Sequence, residues 1–219
     1  MNGISHFEGC VFRPEAPEGI DLKKSRILLH CCCAPCSTAI LEWMVEEGLR
    51  PGIFFSNSNI VPSEEYIKRR EELVKYAATF GLEVADDEYD HTAWLEYVRS
   101  RAGAGLTGPE RGPRCLACFE FRLKRAAEYA AIHGYEVLTT TLASSRWKDL
   151  SQVDAAGRLA VASVNSSFLE GTWRRPSPQL RWWNQNWRKG GLQERRNFLI
   201  KSCALYNQTW CGCEFSSHK

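Results

Sequence analysis

This sequence predicts an α/β fold built on a mainly parallel sheet. Three observations predict it. Short apolar runs of strand length alternate with longer stretches of helical spacing. Gly, Pro, Ser or Asp stands at most junctions between them. A segment rich in cysteine or polar residues follows each apolar run, and ligands of parallel sheets bind beyond the carboxyl ends of the strands.

The elements follow in order. Residues 1–25 read as an irregular N-terminal extension, and 26–219 as a single α/β domain with a helical and irregular C-terminal part. Arg26 to His30 is a buried strand. Ser37 is placed to cap a helix running to about Glu47, where Gly48 ends it. Gly52 to Phe55 is a second strand. The loop Asn57–Asn59 and Pro62 lead into a helix from about Ser63, carrying Tyr66, Leu73, Ala77 and Phe80 before Gly81. Leu82 to Ala85 is a third strand, and Asp90 can cap a helix through Trp94 and Val98. Residues 102–114, with four glycines and two prolines, are the clearest loop. A helix begins at or just after Cys115 and ends at Gly134. Val137 to Leu142 is a fourth strand, followed by a helix from Asp149 to about Val161. The remainder is irregular until a helix near 193–205. The segments after the four strands, at Cys31–Cys36, Asn57–Ile60, Asp86–Asp90 and Ser144–Lys148, should converge on one edge.

The net charge is only +2, so global charge makes no case for nucleic acid. The N-terminal stretch lacks an apolar core of signal type, and no run is long enough to span a bilayer, so a cytoplasmic location is expected. Cysteines in that compartment are mostly reduced. There are ten, and they are grouped: Cys31, Cys32, Cys33 and Cys36; Cys115 and Cys118; Cys211 and Cys213. Thiols gathered this way bind soft metals or exchange electrons. Cys32 and Cys33 at a strand-to-helix turn can meet Cys115 and Cys118 at a helix start, where backbone amides favour thiolates. Spacing alone leaves a zinc site, with Cys36 as one ligand, and an iron–sulfur centre equally open. A bond between Cys211 and Cys213 would close a small strained ring that is easily reduced, with Gly212 supplying backbone freedom. Cys203 reads as a packed core thiol, and Cys10 carries no assignment. His30 reads as a hydrogen-bonding support behind the cysteines rather than a ligand.

Between Trp173 and Arg196, seven Arg or Lys and one acid are interleaved with four tryptophans. Basic residues meet phosphates and aromatic faces stack on unpaired bases. The alternative is a mobile surface loop whose tryptophans pack on the body, and the composition favours it slightly. Ser144, Ser145 and Lys148 either serve the site or cap a helix. No phosphate-binding glycine fingerprint and no Ser-His-Asp set is readable.

Five motifs occur in order: His30-Cys-Cys-Cys-Ala-Pro-Cys-Ser37; Asn57-Ser-Asn-Ile-Val-Pro62 with Glu65, Tyr66 and Arg69; Arg114-Cys-Leu-Ala-Cys118 with Arg122; Thr139-Thr-Thr-Leu142 with Ser145 and Lys148; and Tyr206-Asn-Gln-Thr-Trp-Cys-Gly-Cys213. Together they resemble the QueH family of cobalamin-independent epoxyqueuosine reductases. The resemblance implies a Rossmann-like αβα sandwich of the nucleotide-hydrolase-like type. It implies reduction of the epoxide of epoxyqueuosine to queuosine at the wobble position of tRNA, with the anticodon loop and an unidentified electron donor as partners. It also implies a 4Fe–4S cluster on Cys32, Cys33, Cys115 and Cys118, and a redox-active pair at Cys211 and Cys213. Tyr66, Arg69 and Lys148 are the candidate proton donors. Cys36 either supports the ligands from behind or binds an additional metal ion. Cys31 occupies a position the family usually fills with another residue and is not carried over as a ligand. Trp210 stands where Tyr is usual, and 163–196, with Asn186 and Pro176-Ser-Pro178, matches poorly. Two other readings compete: a zinc-stabilised RNA-binding module, and a generic iron–sulfur or thiol oxidoreductase.

Overall fold

The computed structural model describes residues 10–169 and 179–216. Its sheet has five strands, all parallel: β1 (Ile27–Cys31), β2 (Gly52–Phe55), β3 (Val84–Asp86), β4 (Val137–Thr140) and β5 (Arg181–Trp182), in the order β3-β2-β1-β4-β5. The central strands are buried on both faces, which is why β1, β2 and β4 read as continuous apolar runs rather than alternating ones. Helices α1 (Ala34–Glu46), α2 (Ser63–Ala78) and α6 (Leu192–Ser202) pack together, as do α3 (His91–Ala102), α4 (Pro113–Ile132) and α5 (Leu150–Leu169). This is the expected α/β sandwich. No helix among the described residues is long and apolar enough to cross a membrane.

Element ends shift by one to a few residues, α4 starting at Pro113 and β4 ending at Thr140, and three larger details differ from the sequence reading. Ser37 is not a helix cap. Helix α1 already starts at Ala34 with Cys33 as N-cap, because Pro35 sits in its first turn where its missing N–H costs nothing, and the Ser37 hydroxyl donates to the Cys33 carbonyl at 2.8 Å. Helix α5 runs on to Leu169 and is followed, beyond the undescribed residues, by β5, a two-residue edge strand too short to leave a periodic signal. Cys203 is exposed rather than packed, since α6 stops at Ser202 and leaves it at the C-cap.

The Trp-rich segment packs on the body. Trp183 and Trp187 are each only 1% exposed. Their rings join Trp43 and Phe12, with Phe12–Trp43 at 5.1 Å and Phe12–Trp187 at 5.2 Å between centroids. Each indole N–H finds a carbonyl, Glu15 for Trp183 and Thr140 for Trp187. Trp182 lies over Gly157 of α5, where any Cβ would collide with its ring, and donates to Asp154 at 2.8 Å. Trp173 and Pro176-Ser-Pro178 lie outside the described residues.

The strand order reverses between β1 and β4, so the crevice at their carboxyl ends is the place for a ligand. Thr141 spans it. Its hydroxyl accepts from the Cys32 amide at 3.0 Å and lies 3.4 Å from the Cys32 sulfur.

Candidate active site

Two helices open onto this crevice with cysteines in their first turns. Cys33 caps α1 and Cys36 follows within one turn; Cys115 and Cys118 lie in the first turns of α4. Neither helix has a side-chain cap or an acid in its first turn. Their positive dipole ends therefore meet no side-chain acid, although burial still pushes the Cys115 thiol up.

The sulfurs of Cys32, Cys33 and Cys36 lie within 4.8 Å of one another, with Cys32 and Cys33 at 3.8 Å. That is the spacing of thiolates on a single ion, since bonds of about 2.3 Å in a tetrahedron put sulfurs ~3.8 Å apart. The three thiols bias one another. Hydrogen bonds from Cys33 and Cys36 draw the Cys32 thiol down, helped by Arg122 and Lys148, and Cys33 and Cys36 are pushed up in turn. Cys31, last in β1, is fully buried, and burial pushes its thiol up.

A cavity of about 740 Å³ opens over these sulfurs. A second, of about 40 Å³, is lined by Cys115, Cys118, Cys211 and Cys213. Five residues, Glu110, Arg122, Trp147, Lys148 and Cys211, line both. The two distant cysteine stretches thus stand on either side of one shared wall. The neighbouring Cys213 thiol and the Lys148 charge draw Cys211 down, and Cys213 is pushed up in turn.

The wall is cationic. Among the described residues, seven Arg or Lys line the large cavity and a single carboxylate, Glu110, does. Among the described residues neither Arg122 nor Lys148 has a carboxylate partner. The Arg122 guanidinium, 3% exposed, donates instead to the Ser56 carbonyl at 3.1 Å and to the Asn57 side-chain oxygen. Burial pulls the Lys148 ammonium down, but Cys211 and Cys32 more than offset this and raise it. A buried cation such as Arg122, and to a lesser degree the half-buried Lys148, is costly without a counter-charge. Both fit a site that holds anionic sulfur.

Second-layer groups hold the wall in place. His30, buried and neutral with its pKa lowered to about 3 by burial and by Arg122, bonds Thr140 of β4 at 2.7 Å and the Ser56 carbonyl at 3.0 Å. It ties three strand ends together beneath the sulfurs. Asn57 donates to the Cys31 carbonyl at 3.0 Å. Gln208 donates its side-chain N–H to the Cys33 sulfur at 2.7 Å, while its side-chain oxygen is buried without a partner among the described residues. Arg111 donates its backbone N–H to the Cys115 sulfur at 3.3 Å and its guanidinium to the Arg146 and Trp147 carbonyls.

The C-terminal cysteine pair is seated by α2. Arg69 donates to the Cys211 carbonyl at 3.0 Å and the Trp210 carbonyl at 3.3 Å, and pairs with Glu65. Tyr206 donates to the same Glu65. Gly212 sits at φ +101 with its carbonyl accepting from the Val61 N–H at 3.0 Å. A Cβ there would stand 2.9 Å from the Ile60 side chain and 3.1 Å from Arg69.

Of the sequence candidates, Cys32, Cys33, Cys36, Lys148, Arg69 and Cys211 line the large cavity, and Cys115, Cys118 and Cys213 the small one. Tyr66 lines neither. Its ring packs on Phe55 and Tyr89, and burial with Asp86 and Asp87 pushes its phenol up to about 12. Sequence reading assigned no role to Glu110, Arg122, Trp147 or Gln208, and took Arg188 only as one of the basic residues of the Trp-rich segment. Arg122 and Gln208 lay inside quoted motifs, whereas Glu110 is one acid in a glycine-rich loop and carries no local signal.

The chain matches the family described as Epoxyqueuosine reductase QueH over residues 27–219. Similar proteins bearing that name include one from Haemophilus influenzae, 37% identical over 202 residues that make up 92% of this chain and 74% of the relative. One from Acinetobacter baylyi is 36% identical over 191 residues, 87% of this chain and 80% of the relative. One from Thermotoga maritima is 33% identical over 194 residues, 87% of this chain and 89% of the relative.

Proposed function

The chain belongs to the epoxyqueuosine reductase QueH family, and on that premise we propose that it reduces the epoxide of epoxyqueuosine in tRNA to the alkene of queuosine, as a cytoplasmic oxidoreductase. The single observation that carries the reading is the wall shared by two cysteine-lined cavities, with the buried Arg122 and the half-buried Lys148 in it.

The donor set fits the metal chemistry of such an enzyme: thiols at two uncapped helix starts, with Arg122 and Lys148 lacking carboxylate partners among the described residues. Cys32, Cys33, Cys115 and Cys118 would hold a 4Fe–4S cluster, with a further metal ion at Cys36. When bound, these would supply electrons one at a time at a potential set by burial and hydrogen bonds.

The chain's own residues do the rest. Deoxygenation of an epoxide takes two electrons and two protons, breaks both C–O bonds, forms the C=C bond and releases water. Oxidation of the Cys211/Cys213 dithiol to a disulfide releases two electrons and two protons. The balance closes on this pair, and an external electron donor must then reduce it. Cys211, drawn down beside Lys148, is the nucleophilic thiol for that exchange. Lys148 lies in the cavity wall and can donate a proton to the oxygen as it leaves. Arg69 acts through the backbone carbonyls of Trp210 and Cys211, as a positioning residue. The exposed Arg146 and Lys201 and the half-buried Arg196 meet the phosphates of the anticodon loop, and Trp147, half exposed, offers a face to a base.

Anaerobic purification followed by iron, sulfide and zinc analysis tests the metal assignment; a colourless protein with one zinc and no sulfide would overturn it. Cys211→Ser is expected to keep the visible absorption and lose turnover on an epoxyqueuosine stem-loop. Loss of the absorption would instead make Cys211 a ligand.

A further inference from the structure

Glu110 does not belong in a cavity built only for phosphate. It shares the lining with seven Arg and Lys, and among the described residues it is the one carboxylate there. It stands in both cavities, on the wall that carries Cys211 and Lys148. Its side chain is oriented by the Ser216 hydroxyl, which donates to Oε1 at 2.6 Å. None of the cations of the wall is salt-bridged to it among the described residues. A carboxylate repels phosphate, so its place beside the reactive thiols marks a point where the ligand itself is positive.

Epoxyqueuosine supplies that charge. Its epoxide ring is joined to the deazaguanine base through a secondary amine, and alkyl amines are protonated at neutral pH. The amine lies between the base and the ring to be reduced. A residue that holds it would set the ring against the thiols while the phosphates remain on the surrounding cations. We propose that Glu110 is the substrate-binding residue that pairs with this ammonium and lets the enzyme distinguish the modified nucleotide from guanine. The inference rests on the reductase reading.

Glu110→Gln tests it, because the amide oxygen can still accept from Ser216 while the charge is gone. Binding is measured with two RNA stem-loops that differ only in carrying epoxyqueuosine or guanine at the wobble position. Affinity of the variant for the epoxyqueuosine stem-loop is expected to fall about tenfold, the factor of one charge-assisted hydrogen bond. Affinity for the guanine stem-loop is expected to hold or rise, since a negative charge has left a phosphate-binding cavity. Ser216→Ala, which removes the hydrogen bond and keeps the charge, should preserve the preference. Should Glu110→Gln unfold, as read by its urea midpoint, Glu110→Asp replaces it: the charge stays, its reach shortens, and only the epoxyqueuosine stem-loop is expected to bind more weakly. Equal changes for both stem-loops would overturn the assignment. If the native protein neither prefers nor reduces the epoxyqueuosine stem-loop, the reductase reading falls and this inference falls with it.

Discussion

Replacing Gly212 by alanine should unseat the C-terminal cysteine pair without unfolding the protein. At φ +101 the residue lies outside the narrow left-handed well that L-residues tolerate. Forcing a side chain there costs on the order of 1–3 kcal/mol. The new methyl would stand 2.9 Å from Ile60, which is 1% exposed and cannot swing aside, adding another ~1–3 kcal/mol of overpacking. Against this strain stand the hydrogen bonds that seat the segment: Arg69 to the Cys211 carbonyl, Arg69 to the Trp210 carbonyl, and the Val61 N–H to the Gly212 carbonyl. At about 1.5–3 kcal/mol for each of the two from the charged Arg69 and about 0.5–1.5 kcal/mol for the Val61 bond, they are of the same size as the strain. The 3.1 Å approach to Arg69 disturbs the donor of one of them as well. The segment therefore lifts. Alkylation of Cys211, followed by mass spectrometry, should accelerate about tenfold or more, and turnover should fall by a similar factor. The urea midpoint of the sheet should scarcely move. Alkylation and turnover both indistinguishable from the native protein would refute the claim that Gly212 geometry holds the pair in place.

Three further outcomes are expected. Glu42 and Arg195 form a bidentate pair at 2.6 Å, 4% and 7% exposed, that clamps α1 to α6; Glu42→Ala removes the carboxylate that both bonds reach and should cost about 1.5–3 kcal/mol in urea unfolding, while converting both residues to methionine should recover most of it. Gln208→Leu removes the N–H donated to the Cys33 sulfur and should lower the midpoint potential of the metal-loaded protein in a redox titration; an unchanged potential would mean that the hydrogen bond does not reach the centre. Arg196→Ala and Lys201→Ala should each weaken modified and unmodified stem-loops alike and cut the slope of log affinity against log salt by about 0.7, as expected for a phosphate contact to a single strand.

Much of the architecture was legible in the chain. Buried parallel strands need apolar residues on both faces, so β1, β2 and β4 announced themselves, and Asp90 caps α3 as its position suggested. The cysteine stretches were legible because few other reasons group thiols. Where local chemistry gave no periodic or capping signal, the reading missed: β5 spans two residues, and Pro35 rather than Ser37 sets the start of α1.

By itself, the sequence determined the alternating elements, the three cysteine groups and the motif order, because these depend on residue type and spacing along the chain. Only the tertiary structure decided which charges face which thiols. Strand reversal between β1 and β4 brings Arg122, Lys148, Glu110 and Cys211 onto one wall from four separate stretches. The same packing turns Trp183 and Trp187 into core. Electrostatic interaction falls with distance through space and not with separation along the chain, so no local pattern could have shown it.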